Sequence, residues 1–321
     1  MNNGLIVNPK SGKERGDGLA LADKLAGVAG VQVAVLERFE DLVPRLTDMA
    51  EQEVTTLFIS SGDGTVQQIQ TELAERKLFR SSPELCLLPH GTTNMTGADL
   101  GLKVKNIDEQ ARIISDLDYC RERTAGKVRA TVRVANPADG KVRHGMFVGT
   151  GAVWRGTAFC QKVVHEKGLR GDWATFATLA TAVGKELISS KSEGRNRIAQ
   201  GNYMNVRTGL GRDIEGNQLL FLATTLDKLI LKSRPFWGPR TGTMRASIFP
   251  YPPPSVLRWL WTSMYGSSDR KMPEGCHSFS SDVITIETRC TFVIDGEFFE
   301  PPAGEPLRIE KGAEFIYLCG K

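Results

Sequence analysis

Ser60-Ser61-Gly62-Asp63-Gly64-Thr65 joins a buried-strand pattern to a helical one. Two glycines at such a turn let backbone amides approach an anion without interference from Cβ atoms, and a helix amino end adds a favourable field. The chemistry this permits is phosphate binding. Taken alone, Gly-Asp-Gly is read equally well as a tight turn in which Asp63 caps the helix. Two further turns occupy equivalent places. Asn8-Pro9-Lys10-Ser11-Gly12 follows an apolar run at Gly4–Val7, and Pro89-His90-Gly91-Thr92-Thr93-Asn94 follows another at Leu85–Leu88. Ligands of open parallel sheets gather off the carboxyl ends of the strands. Three such turns would bring Gly, Thr, Ser, Asn and Lys to one edge, a collection suited to a triphosphate. A Gly-x-x-x-x-Gly-Lys-Ser/Thr phosphate loop is absent, and so is a Gly-x-Gly-x-x-Gly dinucleotide fingerprint.

The elements that would hold these turns are legible from periodicity. Leu19, Leu21, Ala22 and Leu25 recur at helical spacing, with Gly27 as a stop. Val31, Val33 and Val35 alternate as a strand. Asp41 is placed to cap a second helix carrying Leu42, Leu46 and Met49 on one face, with Pro44 in its first turn. Thr56–Ser60 reads as a third strand, Val66–Glu75 as a third helix and Leu85–Leu88 as a fourth strand. Strands separated by single helices imply a doubly wound parallel α/β domain. Beyond about residue 123 the texture changes to short strands with Gly and Pro breaks. These are Val128–Val134, Met146–Gly151, Leu219–Thr224, Thr243–Phe249, Val283–Glu287 and Thr291–Ile294, with helical material at 157–188 and a short helix at Val256–Met264. That pattern predicts a mainly antiparallel β domain with a helical insertion. The expected division is 1–123 for the nucleotide-binding α/β domain, 124–303 for the β-rich acceptor-binding domain, and 304–321 for a segment returning to the first.

Composition narrows the class. The excess of 41 Lys and Arg over 37 Asp and Glu is mild, without the dense basic clustering of a nucleic-acid module, so no nucleic-acid partner is expected. Six cysteines lie far apart with no Cys-x-x-Cys pair, which suits reduced thiols better than a disulfide framework or a zinc site. Nor do His90, His144, His165 and His277 show metal-ligand spacing; inside its turn, His90 is read as a local hydrogen-bonding group. The weakly polar stretch Trp173–Val183 is too short to span a bilayer and is cut off by Lys185 and Glu186. The amino-terminal residues lack the charged start and long apolar middle of a signal peptide. A cytoplasmic location is the expectation.

The ordered set Asn8-Pro9-x-Ser11-Gly12, Ser61-Gly62-Asp63-Gly64-Thr65 and Leu88-Pro89-x-Gly91-Thr92-x-Asn94 resembles the signature of the diacylglycerol kinase catalytic-domain family, which includes bacterial lipid kinases and the sphingosine and ceramide kinases. Gly149-x-Gly151 and Asp295-Gly296-Glu297 extend the resemblance over essentially the whole chain. It implies a two-domain kinase fold related to the NAD kinases, with ATP and Mg²⁺ in the cleft between domains and a lipid hydroxyl as acceptor. By the same resemblance Gly62, Asp63, Gly64, Thr65 and Thr92 hold the ATP phosphates, and Asn8, Lys10 and Ser11 line the nucleotide side. Pro9, Gly12, Ser61, Gly91, Thr93 and Asn94 complete the nucleotide-binding set. Asp295 matches the family's general base, and Glu297 is expected to position that base or a metal-bound water. Read on its own, Phe292–Phe299 is also an excellent two-residue hairpin with Asp295-Gly296 at its tip.

The chain departs from the family in places. Ser61 stands where Gly is usual, as in the sphingosine kinase branch. Met95 replaces an Asp linked to the catalytic metal, so the metal ligands stay unknown; Asp99, one helical turn on, is a substitute or a helix-surface residue. Leu36-Glu37 stand where a Thr commonly ends the second strand. Pro235–Thr243 lacks the Asp used for a structural metal in bacterial members, so none is expected there. On the acceptor side, Phe236, Trp237, Phe249, Tyr251, Trp259, Trp261 and Tyr265 crowd together beside Lys228, Lys232, Arg234, Arg240, Arg245 and Arg258. They fit either a lipid headgroup boundary or the core of the second domain with a solvated basic rim. The stretch Phe159–Ile188 would line an acyl pocket or pack on the sheet. The expected partner is a lipid at the membrane surface, contacted peripherally, with a homodimer left open. Two rivals remain: a kinase of a soluble acceptor, as in the NAD kinases, and a catalytically silent nucleotide- or lipid-binding protein.

Overall fold

A computed structural model of the chain describes residues 2–10, 16–91, 94–167, 200–209, 211–253 and 256–321. The chain divides into two compact units, one formed by Met1–Thr131 with Ala313–Lys321 and the other by Val132–Gly312.

The first unit is a doubly wound α/β domain. Its strands β1 (Asn2–Val7), β2 (Val31–Val35), β3 (Val54–Ser60) and β4 (Glu84–Leu87) are parallel and ordered β2-β1-β3-β4. The end of the last strand, β15 (Leu307–Gly320), adds beside β4, where Tyr317 pairs with Leu85. Leu5, Ile6 and Val7 are almost wholly enclosed, as are Leu57, Phe58 and Ile59. Apolar residues in succession, rather than in alternation, are what a sheet covered on both faces requires. One face packs Leu5, Val7, Phe58 and Cys86 with Leu21 and Leu25 of α1 (Asp17–Leu25) and Ile113 and Ile114 of α5 (Ile107–Ser115). On the other, Met49 of α2 (Leu42–Glu51) comes against Gly4. The remaining helices are α3 (Asp63–Arg76), α4 (Met95–Leu100) and α6 (Leu117–Arg123). Gln70 of α3 donates to the Tyr317 hydroxyl at 2.9 Å, and both side chains are fully buried.

Asp41 does not cap α2 through its side chain. Its carboxylate instead accepts from the Arg38 amide at 3.1 Å and closes a short 3-10 turn, Phe39–Asp41, ahead of the helix.

The second unit is antiparallel β with helical additions. Strand β9 (Asp213–Thr224) lies between β7 (Phe147–Gly151) and β8 (Asn202–Thr208) and also pairs with β10 (Met244–Pro250). From there β10 pairs with β11 (His277–Ser281), and β8 with β12 (Val283–Glu287), which meets the start of β15. The hairpin of β13 (Phe292–Ile294) and β14 (Glu297–Phe299) extends the other side through β7. Val148, Val206, Phe221, Ile248, Ile286, Phe292 and Ile309 form its apolar core. β5 (Thr124–Val134) pairs with β6 (Arg143–Gly145). Its helices among the described residues are α7 (Ala152–Lys167) and α8 (Val256–Tyr265). Helix α7 begins five residues before the helical material expected from 157, and the part of that stretch beyond 167 lies outside the described residues. No helix among the described residues is long and apolar enough to cross a membrane.

Candidate functional site

Three turns leave the carboxyl ends of β1, β3 and β4 at one edge of the first unit's sheet. Parallel pairing of β1 with β3 and of β3 with β4 makes that convergence unavoidable. Hydrogen bonds then knit the turns together. The Asn8 amide donates to the Ser60 carbonyl at 3.0 Å, and Asn8 Nδ2 donates to Thr65 Oγ1 at 2.9 Å. Asn8 Oδ1 also receives the Lys10 amide at 3.0 Å, which turns the chain beside half-buried Pro9 and leaves Lys10 exposed. Gly62 is the residue before α3, with extended backbone, and no side chain caps that helix. The start of this 14-residue helix, beside Gly62 and Gly64, thus has no side-chain cap; the Thr65 and Val66 amides both donate to the Gly62 carbonyl at 3.2 Å.

Asp63 does cap a helix, though not its own. Its carboxylate accepts from the Met95 amide at 3.0 Å and the Thr96 amide at 3.2 Å, the first two of α4. Charge-assisted bonds of this kind contribute about 1.5–3 kcal/mol each. They tie the turn after β3 to the turn after β4. In that second turn Asn94 is left-handed, φ 43°, and its Nδ2 donates to the Gly91 carbonyl at 2.8 Å. Gly91 lies so close to the neighbouring turn that a Cβ would stand 2.8 Å from the Ser61 carbonyl oxygen and 2.9 Å from Gly62 Cα. Ser61 and Thr65 are buried between them. Ser11, Gly12, Thr92 and Thr93 lie outside the described residues.

His90 sits under this edge. Its Nδ1 is 2.7 Å from the hydroxyl of Ser60, the last residue of β3, and burial pushes its pKa below the ordinary histidine value. Asp99 is not a helix-surface residue: Arg129 lies 3.9 Å away and the Asp99 side chain is nearly enclosed. Met95 is buried as well, and its backbone amide rather than its side chain meets Asp63. A cavity of about 560 Å³ opens at the opposite, amino-terminal edge of the sheet, lined by Asn3, Val54 and Glu84 among others, and none of the turn residues borders it.

In the second unit Asp295 and Gly296 form the tip of the β13–β14 hairpin, both with positive φ (46° and 98°), the geometry of a two-residue turn that matches strand twist. Asp295 is only 7% exposed. Its Oδ2 accepts from the Met146 amide at 2.8 Å and its Oδ1 from the Phe147 amide at 2.9 Å, while its own amide donates to the Phe147 carbonyl. Gly145 makes this approach possible, since a Cβ there would lie 2.6 Å from Asp295 Oδ2. Gln161 of α7 anchors the tip through the Gly296 carbonyl at 2.8 Å. Glu297 stands exposed on β14. Sequence reasoning missed Gly145 and the two amide donors, because backbone donors carry no side-chain signature.

The aromatic cluster divides. Phe236 is buried and Trp237, Phe249, Tyr251 and Trp259 are partly so, whereas Trp261 and Tyr265 are exposed. No three of His, Cys, Asp or Glu gather as a metal site among the described residues.

The family match follows this geometry. Residues 3–121 match the family model described as the diacylglycerol kinase catalytic domain. The matched segment holds all three turns and the Asp63 link between them. Solved structures share the fold over nearly the whole chain. One described as a diacylglycerol kinase from Bacillus anthracis str. Sterne is 18% identical with a TM-score of 0.62, covering 98% of this chain and 96% of that one. Another from the same organism, described as "a putative diacylglycerol kinase", is 19% identical with a TM-score of 0.64, covering 98% and 97%. At such identities the likeness is one of fold. No curated protein matches the chain.

Proposed function

We propose that this protein is an ATP-dependent lipid kinase, transferring the γ-phosphoryl group of ATP to a hydroxyl of a diacylglycerol-like or sphingoid-like lipid. The observation that carries the reading is the fusion of three strand-end turns by Asn8–Thr65, Asp63–Met95/Thr96 and the Gly91 contact. Loose turns would serve any connection. Turns locked together without Cβ atoms at the contact, beside an uncapped helix amino end, suit a polyphosphate. In this reading the turn at residues 62–65 holds the phosphates, with the Thr65 amide closing that turn on the Gly62 carbonyl, and Asn8, Lys10 and Ser11 flank the nucleotide. Asp63 positions the turns rather than touching phosphate, because its carboxylate is already engaged and would repel an anion.

Asp295 is the general base. Two backbone donors fix the direction of its carboxylate at the hairpin tip, from which, in this reading, it takes the proton of the attacking hydroxyl. Its orientation falls to the Met146 and Phe147 amides rather than to Glu297, whose exposed carboxylate is left to meet solvent or acceptor. Mg²⁺, when bound with the nucleotide, neutralises phosphate charge. Such an ion is commonly held by the phosphates with one or two carboxylates rather than by an all-protein cage. The lipid would be met at the membrane surface by a peripheral protein.

The test is transfer of labelled γ-phosphate from Mg·ATP to a total lipid extract in mixed micelles, beside Asp295→Asn. Thermal melting and ATP titration accompany the variant, since an amide NH₂ would confront a backbone donor. A labelled lipid that disappears with a folded, ATP-binding variant supports the reading. Label appearing only in soluble acceptors, or ATP binding without any transfer, overturns it.

A further inference from the structure

The strip from Lys228 to Ser268 carries six cations and not one carboxylate in 41 residues. It also holds the most exposed aromatic side chain named in either unit: Trp261 on α8 is 74% exposed. Its ring lies 4.6 Å from that of Tyr265, one turn along the same helix, so two large aromatics share one outward face. Trp261 is not held there by burial.

The loop before β10 is bound to that face. The Tyr265 hydroxyl donates to the Leu231 carbonyl at 3.3 Å, and the Arg234 amide donates to the Met264 carbonyl at 2.7 Å. Leu231 and Lys232 are both left-handed, φ 57° and 59°, a conformation that costs non-glycine residues energy. The bend is held by the Leu229 amide on the Ser233 carbonyl at 2.9 Å and by the Ser233 amide on the Ile230 carbonyl at 3.2 Å. Its outcome is that Ile230, 43% exposed, and Lys232 and Arg234, both exposed, stand beside the aromatic pair. The acids at the two ends of the strip are occupied. Asp227 lies between Arg240 at 3.6 Å and Arg245 at 3.8 Å, and Asp269 is hydrogen-bonded to Ser267.

We infer that Trp261, Tyr265 and Ile230, with Lys232 and Arg234, form the surface by which the second unit docks on an anionic lipid bilayer. Trp and Tyr favour the boundary between acyl chains and headgroups, where an apolar ring and a polar edge are both satisfied. An aliphatic tip and exposed cations beside them complete an interfacial anchor. Two signals, insertion and charge, act together, as stable peripheral binding requires. The inference rests on the lipid-kinase reading for its purpose, and its test does not.

The experiment is sedimentation of the full chain, without ATP, with vesicles of phosphatidylcholine alone and with added phosphatidylserine. Neither lipid carries a free hydroxyl acceptor, so binding is read apart from phosphoryl transfer, which is measured separately in detergent micelles. Partitioning is expected to rise steeply with phosphatidylserine. Lys232→Glu with Arg234→Glu is expected to lower it at least tenfold, with about fivefold per cation removed. Trp261→Ala, at an exposed position that leaves folding intact, is expected to lower it about tenfold even at high salt. Brominated acyl chains should quench the wild type more than Trp261→Phe. Binding unchanged by both sets of substitutions overturns the inference, and so does a concentration-dependent dimer that Trp261→Ala abolishes. Loss of vesicle binding with micellar transfer intact supports it. Intact binding without transfer in any assay would instead strike at the kinase reading alone.

Discussion

Gly91→Ala isolates the contact that fuses two of the turns. The added Cβ would stand 2.1 Å from Asn94 Oδ1, 2.8 Å from the Ser61 carbonyl oxygen and 2.9 Å from Gly62 Cα. The Asn94 side chain is able to swing away, at the loss of its bond to the Gly91 carbonyl. The other two neighbours are backbone atoms of the turn that opens α3, and they yield only if that turn moves. Overpacking against fixed atoms costs about 1–3 kcal/mol, and a released Asn94 bond adds about 1 kcal/mol. The expected loss of stability is thus about 2–4 kcal/mol, with ATP affinity falling in parallel because the displaced turn is the one offering amides. Gly97→Ala is the matched control, three residues past Asn94 inside α4. There a Cβ meets only Asn94 Cβ at 3.7 Å, an ordinary contact. Ala is better than Gly in a helix by about 0.5–1 kcal/mol, so this variant should melt at or above the wild type and bind ATP normally. Urea unfolding and calorimetric ATP titration read both quantities. If Gly91→Ala and Gly97→Ala behave alike, the turns are not locked as described.

Three further outcomes follow from the same geometry. Asp63→Ala removes both acceptors from the α4 amides and should lower stability by about 3–6 kcal/mol; an unchanged urea midpoint would mean that the link between turns contributes nothing. The depressed pKa of His90 means that the unfolded chain binds a proton more readily than the folded one. Stability should therefore fall as pH drops below about 6.5 and be regained as it rises, and His90→Gln should flatten that slope in melting curves between about pH 5 and 7. Gly145→Ala would press on Asp295 Oδ2 and on the Ile294 side chain. It should cost about 1–3 kcal/mol and suppress transfer with ATP affinity kept, so undiminished turnover would separate Asp295 orientation from catalysis.

The strand-turn-helix alternation of the first unit was legible because β1, β3 and β4 are buried and read as apolar runs, the edge strand β2 alternates, and its helices keep an apolar stripe. The Asp295-Gly296 hairpin was legible because two successive positive φ angles require such a dipeptide. Strand limits were less so. β9 begins at Asp213, six residues before its apolar run, because pairing with β8 fixes its length through backbone bonds that Asp213-Ile214-Glu215-Gly216 does not advertise. At the site, the spacing of Asp63 suggested a cap for the helix that follows it. Only the fold brings Met95 and Thr96, 32 and 33 residues away, to its carboxylate. The environment of Asp295 was hidden for a similar reason, since its partners lie 148 and 149 residues earlier and donate through the main chain.

The division of the chain also bears on the order of its synthesis. The second unit is continuous in sequence, Val132–Gly312, and the part of β15 that pairs with β12, Leu307–Glu310, is made before residue 313. The first unit is not. Its sheet waits for Tyr317 to pair with Leu85, its helix α3 waits for the Tyr317 hydroxyl, and Phe315 and Leu318 join the buried core only with this segment. The unit begun first is the unit finished last. Until residues 313–321 arrive, an apolar sheet edge of the first unit stands open on the growing chain while the strands of the second unit are already able to pair.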